Sequence, residues 1–132
     1  MNLTSAQELV KGACEKATAD YKRPICVSIC DVSGFPIAFA RMEGAPIRSI
    51  DISRRKALTA VRMGVTTQAF FERLQKDNLQ ADYFGPDLCP LGGGVPIKDA
   101  SGAIVAGIGI SGLASHEDAA IAEAMAARIA KI

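Results

Sequence analysis

Apolar residues recur at helical spacing in four stretches of the chain and in strand-like runs in four others. Leu9, Val10, Ala13 and Ala17 form a stripe that predicts a helix over 3–19, with Thr4 and Gln7 offering a capping box at its start. Pro24 blocks its continuation. The strand formers of 25–32, the Ser33-Gly34 turn and the returning run 36–42 then predict a β-hairpin. A second amphipathic helix follows over 49–64, with Ile50, Ala57, Leu58 and Val61 inward and Arg54, Arg55 and Arg62 outward. Thr66 or Thr67 caps a third, carrying Phe70, Phe71 and Leu74. The stretch 78–94, with Gly85-Pro86, Pro90 and three consecutive glycines, reads as a long irregular loop of the kind that usually has a function. A second hairpin pairs 95–98 with 103–110 across the turn at 99–102. A final alanine-rich helix runs from Ser115 to the chain end, opened by a Ser115-x-x-Asp118 cap. The order α-β-β-α-α-β-β-α, with strands joined as hairpins, predicts an α+β fold on an antiparallel sheet rather than βαβ units.

Composition narrows the function classes. At 132 residues the chain predicts a single domain, 1–132, and 49% hydrophobic content can fill its core. Lys and Arg number 15 against 14 acidic residues, and Trp is absent, so neither a phosphate backbone nor stacked bases find an obvious platform. No stretch approaches the roughly 20 apolar residues of a membrane span, and the first residues lack a leader's pattern. The expectation is a cytoplasmic protein with no nucleic-acid or membrane partner. Its partner is a copy of itself, because the small residues of the last helix let subunits come close.

A single histidine, His116, excludes multi-histidine metal sites and leaves any Ser-His-Asp triad dependent on it alone. Cys14, Cys26, Cys30 and Cys89 show no C-x-x-C spacing. Cys26 and Cys30 lie about 13 Å apart along one strand face, too far for a bridge, so reduced thiols are expected. Gly107-Ile108-Gly109-Ile110-Ser111-Gly112 has the letters of a dinucleotide loop but lacks the following strand and acid. Its alternate glycines instead leave one strand face bare for the close approach of a helix, a flat ligand or a partner subunit. Ser111 and Gly112 lead into the free N–H groups of the last helix, which suit an anion. Gly92, Gly93 and Gly94 allow close backbone approach to a ligand, or serve as a turn.

Lys56 is the sharpest candidate. It lies on or near the inward stripe of its helix and needs a carboxylate, a carbonyl or a ligand anion as partner. Asp51 and Glu43 are the expected internal partners, and the three are the candidate catalytic residues: Lys56 as base or carbonyl polariser, with either acid as its proton partner. Arg41, Lys56, Gly92, Gly93, Gly94, Ser111 and Gly112 form the expected site for a small or planar anionic ligand, a small carboxylate among the alternatives. Cys89, followed by Pro90, and His116 are the candidates for holding a haem iron.

Four stretches in order resemble the GlcG/HbpS-like family, which also occurs as the C-terminal domain of PduO-type proteins. They are 34–45 (GFPIAFARMEGA), 53–60 (SRRKALTA), 91–97 (LGGGVPI) and 107–112 (GIGISG) ahead of Glu117-Asp118. The resemblance covers essentially the whole chain. It implies a profilin- or PAS-like layout with a five-stranded antiparallel sheet, assembly as homo-oligomers, and binding of haem or a corrinoid, with haem degradation proposed for the group. Other relatives accompany glycolate, glycerol or propanediol metabolism, so a small-acid enzyme is the alternative. The Ser115-His116 opening departs from a proline common in relatives.

Overall fold

The computed structural model describes residues 1–130. Helix α1 (Leu3–Lys16) begins at Asn2, whose side chain accepts from the Ser5 N–H at 2.8 Å, so Asn2 rather than Thr4 is the cap. It ends in a wide π turn, Ala17–Tyr21, closed by left-handed Lys22 at φ 52°. β1 (Cys26–Cys30) and β2 (Pro36–Arg41) form the first hairpin. Its turn is knotted by the Asp31 carboxylate, which accepts from the Ser33 and Phe35 N–H groups at 2.9 and 3.0 Å. α2 (Arg48–Met63) stops at Gly64, and α3 (Thr67–Asp77) is capped by the Thr66 hydroxyl. A single 3-10 turn, Ala81–Phe84, interrupts the long loop. β3 (Gly94–Lys98), β4 (Ile104–Ser111) and α4 (Ser115–Ala130) complete the chain. Residues 131 and 132, which the predicted last helix includes, lie outside the described residues.

The sheet has four strands in the order β2-β1-β4-β3, every neighbour antiparallel. The architecture is the expected α+β one, but among the described residues no fifth strand is found. The prolines, Gly85 and the 3-10 turn between α3 and β3 cannot extend a ladder. Pro36 and Pro96 sit in the two edge strands, where a missing N–H is tolerated.

The pleat sends successive side chains to opposite faces. Val27, Ile29, Val95, Ile97, Ile108 and Ile110 meet α1 and α4 through Ala6, Leu9, Ala13, Ile121, Ala122 and Met125. The other face receives α2, and this is why β4 carries alternate glycines. A Cβ on Gly107 would stand 2.5 Å from the Ala57 carbonyl oxygen, and one on Gly109 would overlap the Ser53 carbonyl. Of the three approaches the bare strand allows, the helix is the one present. Close packing lets the Ser28 and Ser53 hydroxyls meet at 2.8 Å beneath it.

Candidate functional site

Lys56 is fully enclosed at 2% exposure, and its partner is neither Asp51 nor Glu43. Its ammonium donates to the Ile110 carbonyl at 2.8 Å and to Asp118 Oδ2 at 3.1 Å. The second oxygen of Asp118 accepts from the Leu113 N–H at 3.1 Å, so the ion pair ties β4, through Lys56, to the turn before α4 and to α2. Burial is the largest influence on Asp118 and pushes its acid up to about 6, against the opposing pull of Lys56. The predicted Ser115-x-x-Asp118 cap is therefore not what Asp118 does. Glu117 covers the helix start instead, accepting from the Ala114 N–H at 3.1 Å.

One glycine of the cluster is explained by this pair. The Gly93 backbone, at φ 131°, lies so close that a Cβ would stand 2.8 Å from Lys56 Nζ and 2.5 Å from the Ile110 carbonyl oxygen. A Cβ on Gly94 would overlap the Lys56 carbonyl, while its N–H donates to the Thr67 hydroxyl at 2.8 Å. Gly92, Gly93 and Gly94 are all buried, but only Gly93 packs on the ion pair itself, while Gly92 lies against the Ser115 carbonyl and Gly94 against the α2 backbone.

A cavity of about 110 Å³ adjoins the pair, lined by Arg48, Ser49, Ile52, Lys56, Leu91, Ser111, Gly112, Leu113, Ser115 and Asp118. It brings together Lys56, Ser111 and Gly112 of the expected ligand site. Arg48, Ser49 and Asp118 are additions that sequence reasoning missed. Asp118 could have been found from its spacing, since 118, 121, 122 and 125 mark one inward face on which it is the only charge. Arg41 is not among the lining residues. It is exposed on β2, in register with Cys26 and through it with Ser111, so it stands two strands or roughly 10 Å to the side.

A larger cleft of about 210 Å³ opens between the first hairpin and α2. Ser28, Cys30, Gly34, Pro36, Phe39, Ile50 and Ala57 give it apolar walls, and Arg54 adds a cation. Burial pushes the Cys30 thiol up to about 11, so it is protonated at neutral pH. Asp51 belongs to the outer surface of α2, bonded to Arg54 at 2.8 Å and to Arg55 at 2.6 Å. The hydrogen bond from Arg54 holds its carboxyl below the usual range. Glu43 is exposed just past β2. The acid–base partner expected for Lys56 is thus replaced by Asp118.

The two iron-ligand candidates lie apart from the cleft's walls. Cys89 is buried, burial raises its thiol, and its N–H donates to the Thr59 hydroxyl at 2.8 Å. His116 is exposed in the first turn of α4. Among the described residues no three His, Cys, Asp or Glu side chains cluster to hold a metal ion.

Fold and cavities together define the class: a small α+β domain with one cavity on each flank of a helix laid across its sheet. The family model described as "Haem degrading protein HbpS-like" matches residues 1–127, and the chain belongs to that family. A double mutant of Streptomyces reticuli HbpS is similar at 32% identity and TM-score 0.88, covering 98% of this chain and 86% of that one. A structure titled as a PduOC:haem complex is similar at 26% identity and TM-score 0.86, covering 98% and 94%. A Citrobacter freundii protein, described as an uncharacterized 15.0 kDa protein in the dhaT-dhaS intergenic region, is 27% identical over 129 residues, covering 93% of this chain and 87% of the relative. No helix among the described residues is long and apolar enough to cross a membrane.

Proposed function

We propose that this chain binds haem or a related tetrapyrrole, a corrinoid being the alternative, and that it acts as a homo-oligomer in the cytoplasm. The apolar cleft between the first hairpin and α2 is the observation that carries the reading, and family membership and the haem complex of the PduOC relative support it. About 210 Å³ is the liquid volume of roughly seven waters, room for one edge of a macrocycle rather than all of it. The edge lies against Phe39, Ile50 and Ala57, and Arg54 offers its fork to a ring carboxylate. The rest of the ring lies over the exposed hairpin, where Phe35 is 68% and Phe39 46% exposed, and a second subunit covers it there.

Bound haem would supply a redox-active iron, the chemistry that haem degradation requires. The residues of this cleft hold the ring by apolar contact, since its one thiol is protonated and it contains no histidine. Titrating haemin into apoprotein tests the reading. A saturable Soret change is expected, weakened at least about tenfold in Ile50→Asp, since a charge in an apolar wall is costly. Equal binding by the variant would overturn this placement.

The second reading is a small-acid enzyme or accessory protein of glycolate, glycerol or propanediol metabolism. The polar cavity favours it, with Lys56 and Asp118 as the proton-handling pair.

A further inference from the structure

The cavity beside Lys56 and Asp118 has the dimensions and donor set of a binding site. Lys56 is 2% exposed, Ser49 1% and Ser111 6%, and all three line it. An ammonium has three donors, of which Ile110 and Asp118 take two, leaving one for a ligand. Arg48, exposed at the first turn of α2, adds a planar fork that matches a two-oxygen anion. Ile52, Leu91 and Leu113 supply apolar wall for a short carbon tail. About 110 Å³ has room for an occupant of a few heavy atoms.

We infer that this pocket binds a small monocarboxylate of two or three carbons, its oxygens held by Arg48, Lys56 and the hydroxyls of Ser49 and Ser111. The charge count favours a monoanion. With Asp118 ionised, Lys56 and Asp118 cancel and Arg48 leaves one positive charge. A dianion would stand against Asp118 without a matching cation. The inference deepens the small-acid reading but requires binding only. A chain that binds acetate and turns over no acid keeps the inference and removes the enzyme half of that reading. It is also separate from the tetrapyrrole cleft, whose walls share no residue with this pocket.

Binding and the proton on Asp118 are linked. The charged groups facing Asp118 are Lys56 and Arg48 from α2 and Glu117 from its own helix, while β4 and the start of β3 present the Ile110 carbonyl and the Gly93 backbone. An arriving carboxylate adds a like charge and favours proton uptake by Asp118, so affinity falls as pH rises through its titration.

The test is thermal unfolding and calorimetry of apoprotein with sodium acetate, against sodium chloride at equal ionic strength and inorganic phosphate. Acetate is expected to raise the melting temperature saturably, and phosphate to act no differently from chloride. Arg48→Gln, at an exposed position that leaves the fold alone, should weaken acetate binding by about tenfold or more. Affinity should fall between about pH 5.5 and pH 8, by less in Asp118→Asn, with His116→Gln unchanged to exclude the surface imidazole. A linear response equal to chloride, equal binding of phosphate, or an undiminished response in Arg48→Gln would overturn the inference. Repeating the titration on haemin-loaded protein separates the sources of the carboxylate. Retained acetate binding supports a free acid as the occupant, and competition by haemin would overturn the inference by assigning the pocket to a ring carboxylate.

Discussion

Lys56 and Asp118 show how a buried ion pair can organise a structure while adding little net stability. Taking both charges out of water costs several kcal/mol, and the acid's rise to about 6 reports that desolvation outweighs the attraction of Lys56. The sign for stability follows. The folded acid titrates near 6, above its ordinary 3.8, so the folded state holds this proton more tightly than the unfolded one. Its contribution is fully present below about pH 4 and is lost as pH rises through 6. Urea unfolding of wild type and Asp118→Asn across this range is expected to show the wild type losing stability relative to the variant between those limits. Removing the cation is a different perturbation. Lys56→Met leaves a buried carboxylate alone and should destabilise the fold by about 3–5 kcal/mol at pH 8, and by less at pH 5, where Asp118 takes up its proton. Equal losses at both pH values would show that Asp118 does not titrate in this range.

Elements, not side chains, explain the glycines. α2 lies against β4 because Gly107 and Gly109 present no side chain, and its carbonyls take the space. Gly109→Ala should therefore push α2 off the sheet and cost about 1–3 kcal/mol in chemical denaturation, the usual range for overpacking. A neutral result would mean that the helix rides higher than this packing requires. Among the described residues the four α-helices and four strands were legible in the sequence, because each has a period or a breaker of its own, while the 3-10 turn at Ala81–Phe84 was not. The fifth strand had no such local support. The start of α1 at Leu3 was legible but its cap was not: Asn2 rather than Thr4 closes it, since the Asn2 side-chain oxygen already faces the free N–H groups there. The site was half legible. Lys56 announced itself as a charge on an apolar stripe, and Ser111 and Gly112 follow from the end of β4. Its partner Asp118, 62 residues away, did not, because a carboxylate in the first turn of a helix already has a local explanation. Arg41 and the two acids Asp51 and Glu43 were grouped with Lys56 by proximity in sequence. Helix periodicity puts Asp51 on the outer face of α2, and Arg41 and Glu43 belong to β2 and the turn after it.

At the scale of the molecule, exposed apolar residues gather around the first hairpin and the approach to α2: Val32, Phe35, Phe39 and Ile47, the last 78% exposed. Phe39 lines the apolar cleft and Phe35 falls between its lining residues Gly34 and Pro36, so the surface proposed to meet a ring is also the surface that should meet a second subunit. Light scattering at micromolar concentration is expected to give a species larger than one chain, and a mass of one chain would contradict the oligomer. All four cysteines are free, and three of them are buried, so thiol counting in denaturant without reductant should give four. The central claim is that the cleft on the hairpin side of α2 receives a tetrapyrrole edge. The most direct measurement is the amide NMR spectrum of the labelled chain titrated with a diamagnetic metalloporphyrin. The account predicts that Gly34, Phe39, Ile50 and Ala57 shift first and most. Shifts concentrated elsewhere, at Gly93, Ser111 and Leu113 for example, would contradict it.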